Sequence, residues 1–142
     1  MRVLKVAQIL STTPDTVRFY TRTGLLHPAV NSENGYKDYT AGDVSRLKFI
    51  LAARNLGFSV DDIRSILSRT DENHSACSLV RDLINKRLEE TEMRFQEMVE
   101  LRSRMQAAAK VWNNMDDRAP SNQSICHLIE SFTSIKDEPH ND

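Results

Sequence analysis

Between Leu79 and Val111 the chain carries neither proline nor glycine, and apolar residues return along it in steps of four and three. Ile84, Leu88, Thr91, Phe95, Met98, Arg102, Met105, Ala109 and Trp112 trace one seam, broken only at Thr91 and Arg102, over about four heptads. A lone helix of that length leaves its seam in water. Folding the helix back on its own domain is the alternative, but too little chain remains to cover it. A second copy wound against the first in a coiled coil, parallel or antiparallel, is the simplest cover, with Thr91 and Arg102 helping to set register.

The segment before this helix reads as a chain of short elements. Val3, Val6, Ala7, Ile9 and Leu10 keep helical spacing until Ser11, Thr12 and Thr13 interrupt it. Thr13 suits an N-cap with Pro14 at the first helical position, where a missing N–H costs nothing, and Gly24 suits the stop. Two short helices so spaced have the outline of a helix-turn-helix. Asn34-Gly35 is well suited to a type I′ hairpin turn, which predicts a β-wing across Asn31–Tyr39. Thr40 to Asp43 opens a third helix through Val44, Leu47, Ile50, Leu51 and Leu56 to Gly57. Phe58, Ser59, Asp62 and Ile63 then form a capping box with a hydrophobic staple at the start of a fourth, which continues through Ile66 and Leu67.

The chain is therefore read as all-α with a small β-wing. A winged helix-turn-helix domain occupies 1–70, a hinge 71–77, a long dimerisation helix 78–112, and an effector loop with a short helix 113–132. The polar stretch 133–142 is read as disordered. No window reaches the roughly 18 apolar residues of a membrane helix, and the N-terminus lacks a secretory pattern, so a cytoplasmic protein is expected. From Met1 to Phe58 eight Lys and Arg face four Asp and Glu, a net charge of +4, which leaves −5 for the rest of a chain whose net charge is −1. A basic half joined to an acidic one fits a phosphate-binding module on a separate oligomerisation element. Phosphate-binding Gly-rich loops and hydrolase motifs are absent, which argues against an enzyme.

Three stretches, Asp15-Thr-Val-Arg-Phe-Tyr-Thr-Arg-Thr-Gly-Leu-Leu26, Ser32-Glu-Asn-Gly-Tyr-Lys-Asp-Tyr39 and Ala53-Arg-Asn-Leu-Gly-Phe58, closely resemble the MerR family of transcriptional regulators. The resemblance follows the order of elements from Met1 to about Phe132. It implies a homodimer joined by an antiparallel coiled coil, bound to a pseudo-palindromic promoter. On binding its inducer, such a dimer distorts the DNA so that widely spaced promoter elements realign for RNA polymerase. At matching positions it implies DNA contacts from Arg18, Thr16 and Tyr20 on the second helix, from Lys37 and Tyr39 on the wing, and from Arg54 on the third helix. Arg18 and Tyr20 would reach the major groove and nearby phosphates, while Lys37 and Tyr39 would grip the backbone. Asn31 stands where the family commonly has a basic residue.

The chain has two cysteines, Cys77 and Cys126, too sparse for a disulfide framework. Cys77 follows His74-Ser-Ala at the start of the long helix, where free N–H groups favour a thiolate. The resemblance places a cysteine there in sensors of divalent ions such as zinc, cadmium, lead or mercury, and a serine in sensors of monovalent copper, silver or gold. It further implies that Cys126 approaches the partner subunit's Cys77. The family's metal sensors carry another cysteine earlier in the loop, where Asp117-Arg-Ala119 stand here. Two thiolates need further ligands for a tetrahedral ion, and His127, Asp117, Asp116 or His74 can supply nitrogen or oxygen. The expected inducer is a divalent ion, zinc first, then cadmium, cobalt or lead. The alternative is a regulator without metal that answers oxidation or an electrophile through the same thiols.

Overall fold

The structure is a computed structural model that describes residues 1–136, with side chains through Phe132. Its elements are α1 (Val3–Ile9), α2 (Pro14–Arg22), β1 (Ala29–Val30), β2 (Lys37–Asp38), α3 (Ala41–Asn55), α4 (Val60–Asp71), α5 (Cys77–Trp112) and α6 (His127–Lys136). The chain divides into two compact units, Met1–Glu89 and Glu90–Asp142. No helix among the described residues is long and apolar enough to cross a membrane.

Local chemistry sets the helix boundaries in the first unit. Thr13 accepts from the Thr16 amide with Pro14 in the first turn, and Thr40–Asp43 and Ser59–Asp62 close two full capping boxes. The first four helices also end alike. The Leu25 amide reaches the Tyr20 carbonyl and the Gly24 amide reaches Thr21, a Schellman closure that recurs after α1, α3 and α4. Each needs a residue with positive φ, supplied by Ser11 (52°), Gly24 (82°), Gly57 (96°) and Asn73 (64°).

The capped helices bury one core, in which Val6, Val17, Leu25, Leu26, Tyr39, Leu47, Ile50 and Ile63 are almost wholly enclosed. Burying each aliphatic side chain contributes roughly 1.5–3 kcal/mol, more than a typical cap, so packing holds what the caps delimit. Leu79, Val80, Leu83 and Ile84 of α5 lie against the same core. The first unit thus runs past residue 70, through the opening turns of the long helix. The expected hinge is a closed turn in which the Asn73 and His74 amides bond the Thr70 and Arg69 carbonyls, and Ala76 is buried.

Two bidentate ion pairs brace this unit. Arg46 donates to both oxygens of Asp71 at 2.8 and 3.1 Å and, through Nε, to the Leu25 carbonyl at 2.7 Å. Arg87 of α5 donates to Asp62 of α4 through Nε at 2.7 Å and Nη2 at 2.9 Å. The Asp62 carboxylate, buried beside that guanidinium, also completes its own capping box.

The wing differs in detail from the sequence expectation. β1 and β2 pair antiparallel, Ala29 with Asp38 and Val30 with Lys37, but six residues join them rather than a two-residue type I′ turn. Among them only Gly35 has positive φ, at 72°. Asn31 Oδ1 accepts from the amides of Glu33 and Asn34, and this side-chain turn takes the place of the tight one.

Along α5, Leu88, Phe95, Met98 and Met105 are each more than half exposed in the single chain, while Ala108 is buried. That exposed seam is the apolar surface a second copy covers. In the second unit the Trp112 indole N–H donates to the Leu128 carbonyl at 2.8 Å, and its ring meets Phe132 edge-on at 6.1 Å. α6 continues to Lys136, four residues beyond its expected end at Phe132. The expected disorder of 137–142 lies outside the described residues.

Replacing Asp62 with Ala is expected to lower stability by about 2–3 kcal/mol, because it removes a bidentate ion pair and opens a capping box. Urea unfolding at fixed protomer concentration measures this. The Arg87 hydrogen bond holds the Asp62 carboxyl below its ordinary value of 3.8. The pair's contribution is therefore complete above that value and disappears as pH falls through the lowered one, so the variant's stability should fall less steeply in that acid range.

Candidate nucleic-acid interface and thiol sites

α1, α2 and the wing enclose a groove of about 570 Å³. Arg2, Arg18, Arg22 and Lys37 line it, together with Tyr36, and no acidic side chain does. Thr13 and Pro14 fix where α2 begins, and Arg18 and Arg22, one turn apart, then share a face. Arg18 is bound to Asp15 at 3.1 Å, but the carboxylate is almost fully exposed. A surface pair of that kind is weak, so Arg18 can exchange Asp15 for a phosphate or base edge. Arg2 stacks on the Tyr36 ring at 4.1 Å, which ties the wing to the start of α1 while both remain exposed.

Of the residues expected to meet DNA, the structure leaves Arg18 and Lys37 exposed on this groove. Thr16 is half-buried and hydrogen-bonded to Thr13 at 2.8 Å, within the helix cap. Arg54 donates to the Phe58 carbonyl at 3.0 Å, bracing the α3–α4 turn. Tyr20 and Tyr39 lie mostly inside the fold. Tyr20 is 6% exposed, because the helix face that carries Val17 into the core carries it too. Tyr39 is 1% exposed, and its hydroxyl meets that of Thr21 at 2.8 Å. Thr21 already donates its proton to the Val17 carbonyl, so Tyr39 is the donor between them. Tyr39 and Thr21 nevertheless line the groove. Arg2, Arg22 and Tyr36 were not anticipated from sequence. Arg22 was findable from its spacing to Arg18, whereas the pairing of Arg2 with Tyr36 needs the tertiary fold.

The thiols sit at two helix starts. Cys77 is the first residue of α5, exposed, with its amide bonded to Ser75 Oγ at 3.3 Å. Cys126, half-buried, precedes α6, and its carbonyl accepts from the Glu130 amide at 3.1 Å. His127, half-buried, opens α6, and Asp116 and Asp117 are exposed in the loop before it. His74 is exposed beside Glu72, at 3.8 Å. Among the described residues of the single chain, no three His, Cys, Asp or Glu side chains are grouped to hold a metal. Cys77 belongs to the first unit, and Cys126, His127 and Asp117 to the second.

Glu130 shapes the turn around Cys126. Its carboxylate accepts from the Ser124 hydroxyl and, at 3.1 Å, from the Ile125 amide. The Ser124 bond above all, then the Ile125 bond, hold the Glu130 carboxyl below its ordinary value.

A family model described as "MerR HTH family regulatory protein" matches residues 1–70, and one described as "MerR, DNA binding" matches residues 44–108. The chain is 38% identical over 106 residues to the HTH-type transcriptional regulator ZntR of Escherichia coli K12, across 74% of this chain and 75% of that one. It is 35% identical over 83 residues to a probable heavy metal-dependent transcriptional regulator of Haemophilus influenzae, across 58% and 65% of the two chains. Its fold matches the transcription regulator PbrR691 of Ralstonia metallidurans, solved in complex with lead(II), with a TM-score of 0.72 at 24% identity over 92% of this chain and 98% of that one.

Substituting Tyr39 with Phe removes one buried hydroxyl donor. It is expected to cost about 1 kcal/mol in thermal stability and to leave nucleic-acid affinity within about two-fold, as checked by melting and gel-shift titration. A large loss of affinity at unchanged stability would show that the Tyr39 hydroxyl itself contacts the nucleic acid.

Proposed function

Because the chain belongs to the MerR family of helix-turn-helix regulatory proteins, we propose that its four-cation groove binds promoter DNA and that a divalent metal captured by its two cysteines switches transcription on. The protein is a transcriptional regulator that works as a homodimer on double-stranded promoter DNA with RNA polymerase, and it is not an enzyme. Its place of action on this reading is the cytoplasm. The observation that carries the DNA reading is the convergence of Arg2, Arg18, Arg22 and Lys37 on one groove between α2 and the wing. Phosphate contacts there supply affinity and salt dependence, and Arg18, on the exposed face of α2, reads base edges. The exposed seam of α5 joins the two copies.

The metal reading rests on donor chemistry and on the heavy metal-dependent relative. The thiolates of Cys126 and of the partner subunit's Cys77, with the imidazole of His127, would make a mixed sulfur and nitrogen set that suits zinc, with Asp117 as a further oxygen donor. A bound ion there would link the loop before α6 to the start of the partner's long helix. A thiol-oxidation reading has one observation in its favour, the exposure of Cys77.

Substitution of Arg18 with Ala is expected to weaken operator binding by about 1–3 kcal/mol and to relax sequence preference, whereas substitution of Lys37 with Ala should weaken binding to all sequences alike and flatten the salt slope by about 1. Unchanged affinity in gel-shift titrations would remove either residue from the interface. Cys77→Ser and Cys126→Ser are each expected to abolish metal-dependent transcription in vitro. Full zinc induction in either variant would take that cysteine out of the site, and induction by peroxide but by no divalent ion would favour oxidation.

A further inference from the structure

Ser124 to Glu130 forms a closed ring of contacts on the N-terminal side of α6. The Glu130 side chain turns back against the chain direction, so that Ser124 donates its hydroxyl and Ile125 its amide to the two carboxylate oxygens. The Glu130 amide meanwhile bonds the Cys126 carbonyl at 3.1 Å, so both ends of the same residue hold the turn in which Cys126 and His127 sit. A negative charge at this end of the helix is also favoured by the orphan N–H groups there. One residue beyond His127, the Leu128 carbonyl is held by the Trp112 indole at 2.8 Å, and Ser131 Oγ bonds it too, at 3.0 Å. Phe132 packs edge-on against the same indole. Donors fixed in this way bind with less loss of conformational freedom than donors on a loose loop.

We propose that Glu130 is the positioning residue of the inducer site: its carboxylate, anchored on Ser124 and Ile125, clamps the turn that presents Cys126 and His127, and Trp112 seats that turn on the last residue of α5. Glu130 acts through these contacts and is not itself a ligand. The inference rests on the metal reading for its consequence, but the clamp has a readout that needs no metal.

The test uses the full-length reduced protein. Without metal, site-resolved alkylation by iodoacetamide is followed at Cys126, with Cys77 as internal reference. Glu130→Ala is expected to raise the Cys126 to Cys77 rate ratio several-fold. Glu130→Gln loses the same charge but keeps one oxygen acceptor and should restore most of the wild-type ratio. No rise in Glu130→Ala, or an equal rise in both variants, which is the signature of charge alone, overturns the clamp. With cobalt(II) as probe, Glu130→Ala is expected to bind about 10- to 100-fold more weakly and with an altered thiolate-to-cobalt absorption band. Wild-type affinity and spectrum in that variant overturn the proposal. A wild-type protein with no thiolate-to-cobalt band sinks the metal reading instead, and the alkylation ratio then decides the clamp by itself.

Discussion

The bidentate bond between Asp62 and Arg87 is the contact on which the geometry of the first unit most depends. A carboxylate only 6% exposed is costly without a counter-charge, and Arg87 of the third turn of the long helix supplies one. The same carboxylate caps α4, so the pair fixes the start of one helix and the placement of another with a single group. Leu79, Val80, Leu83 and Ile84 add the apolar half of the joint. The opening turns of α5 therefore belong to the DNA-binding unit and cannot reorient without breaking a buried ion pair.

A joint of this kind matters for a regulator in which the long helix is also the dimerisation element. At this joint the opening turns of α5 are bonded to α4 and packed on the shared core. Arg46 plays a parallel part by bonding the Leu25 carbonyl and Asp71 together, so the loop after α2 is tied to the end of α4. The four groove cations thus sit on a braced support. In the second unit the same logic recurs at smaller scale, with Trp112 and Glu130 holding the segment that carries Cys126.

Much of this was legible from residue order. Thr13-Pro14, the two capping boxes and the stops at Gly24 and Gly57 lie where the sequence places them, since each depends on partners no more than a few residues away. The unbroken helix from Cys77 and its exposed seam follow equally from periodicity. The wing was foreseen but its turn was not, because the Asn31 side chain competes with Asn34-Gly35 for the local amides. Among the expected site residues, Arg18 and Lys37 lie exposed on the groove. Tyr20 and Tyr39 lie mostly inside the fold, a placement sequence does not reveal, because an aromatic residue with a polar tip suits core and interface alike.

What the sequence determined by itself, then, is the inventory and the boundaries of the elements, the basic character of the first half, and the need for a partner along α5. These are consequences of spacing and of contacts closed within a turn or two. The tertiary structure decided the rest: that Tyr39 faces Thr21, that Arg2 lies over Tyr36, and that Asp62 meets Arg87. It also decided that no metal cage assembles among the described residues of one chain. Those outcomes depend on how elements cross, and crossing is set by the shape of the shared core, which no short window of sequence contains.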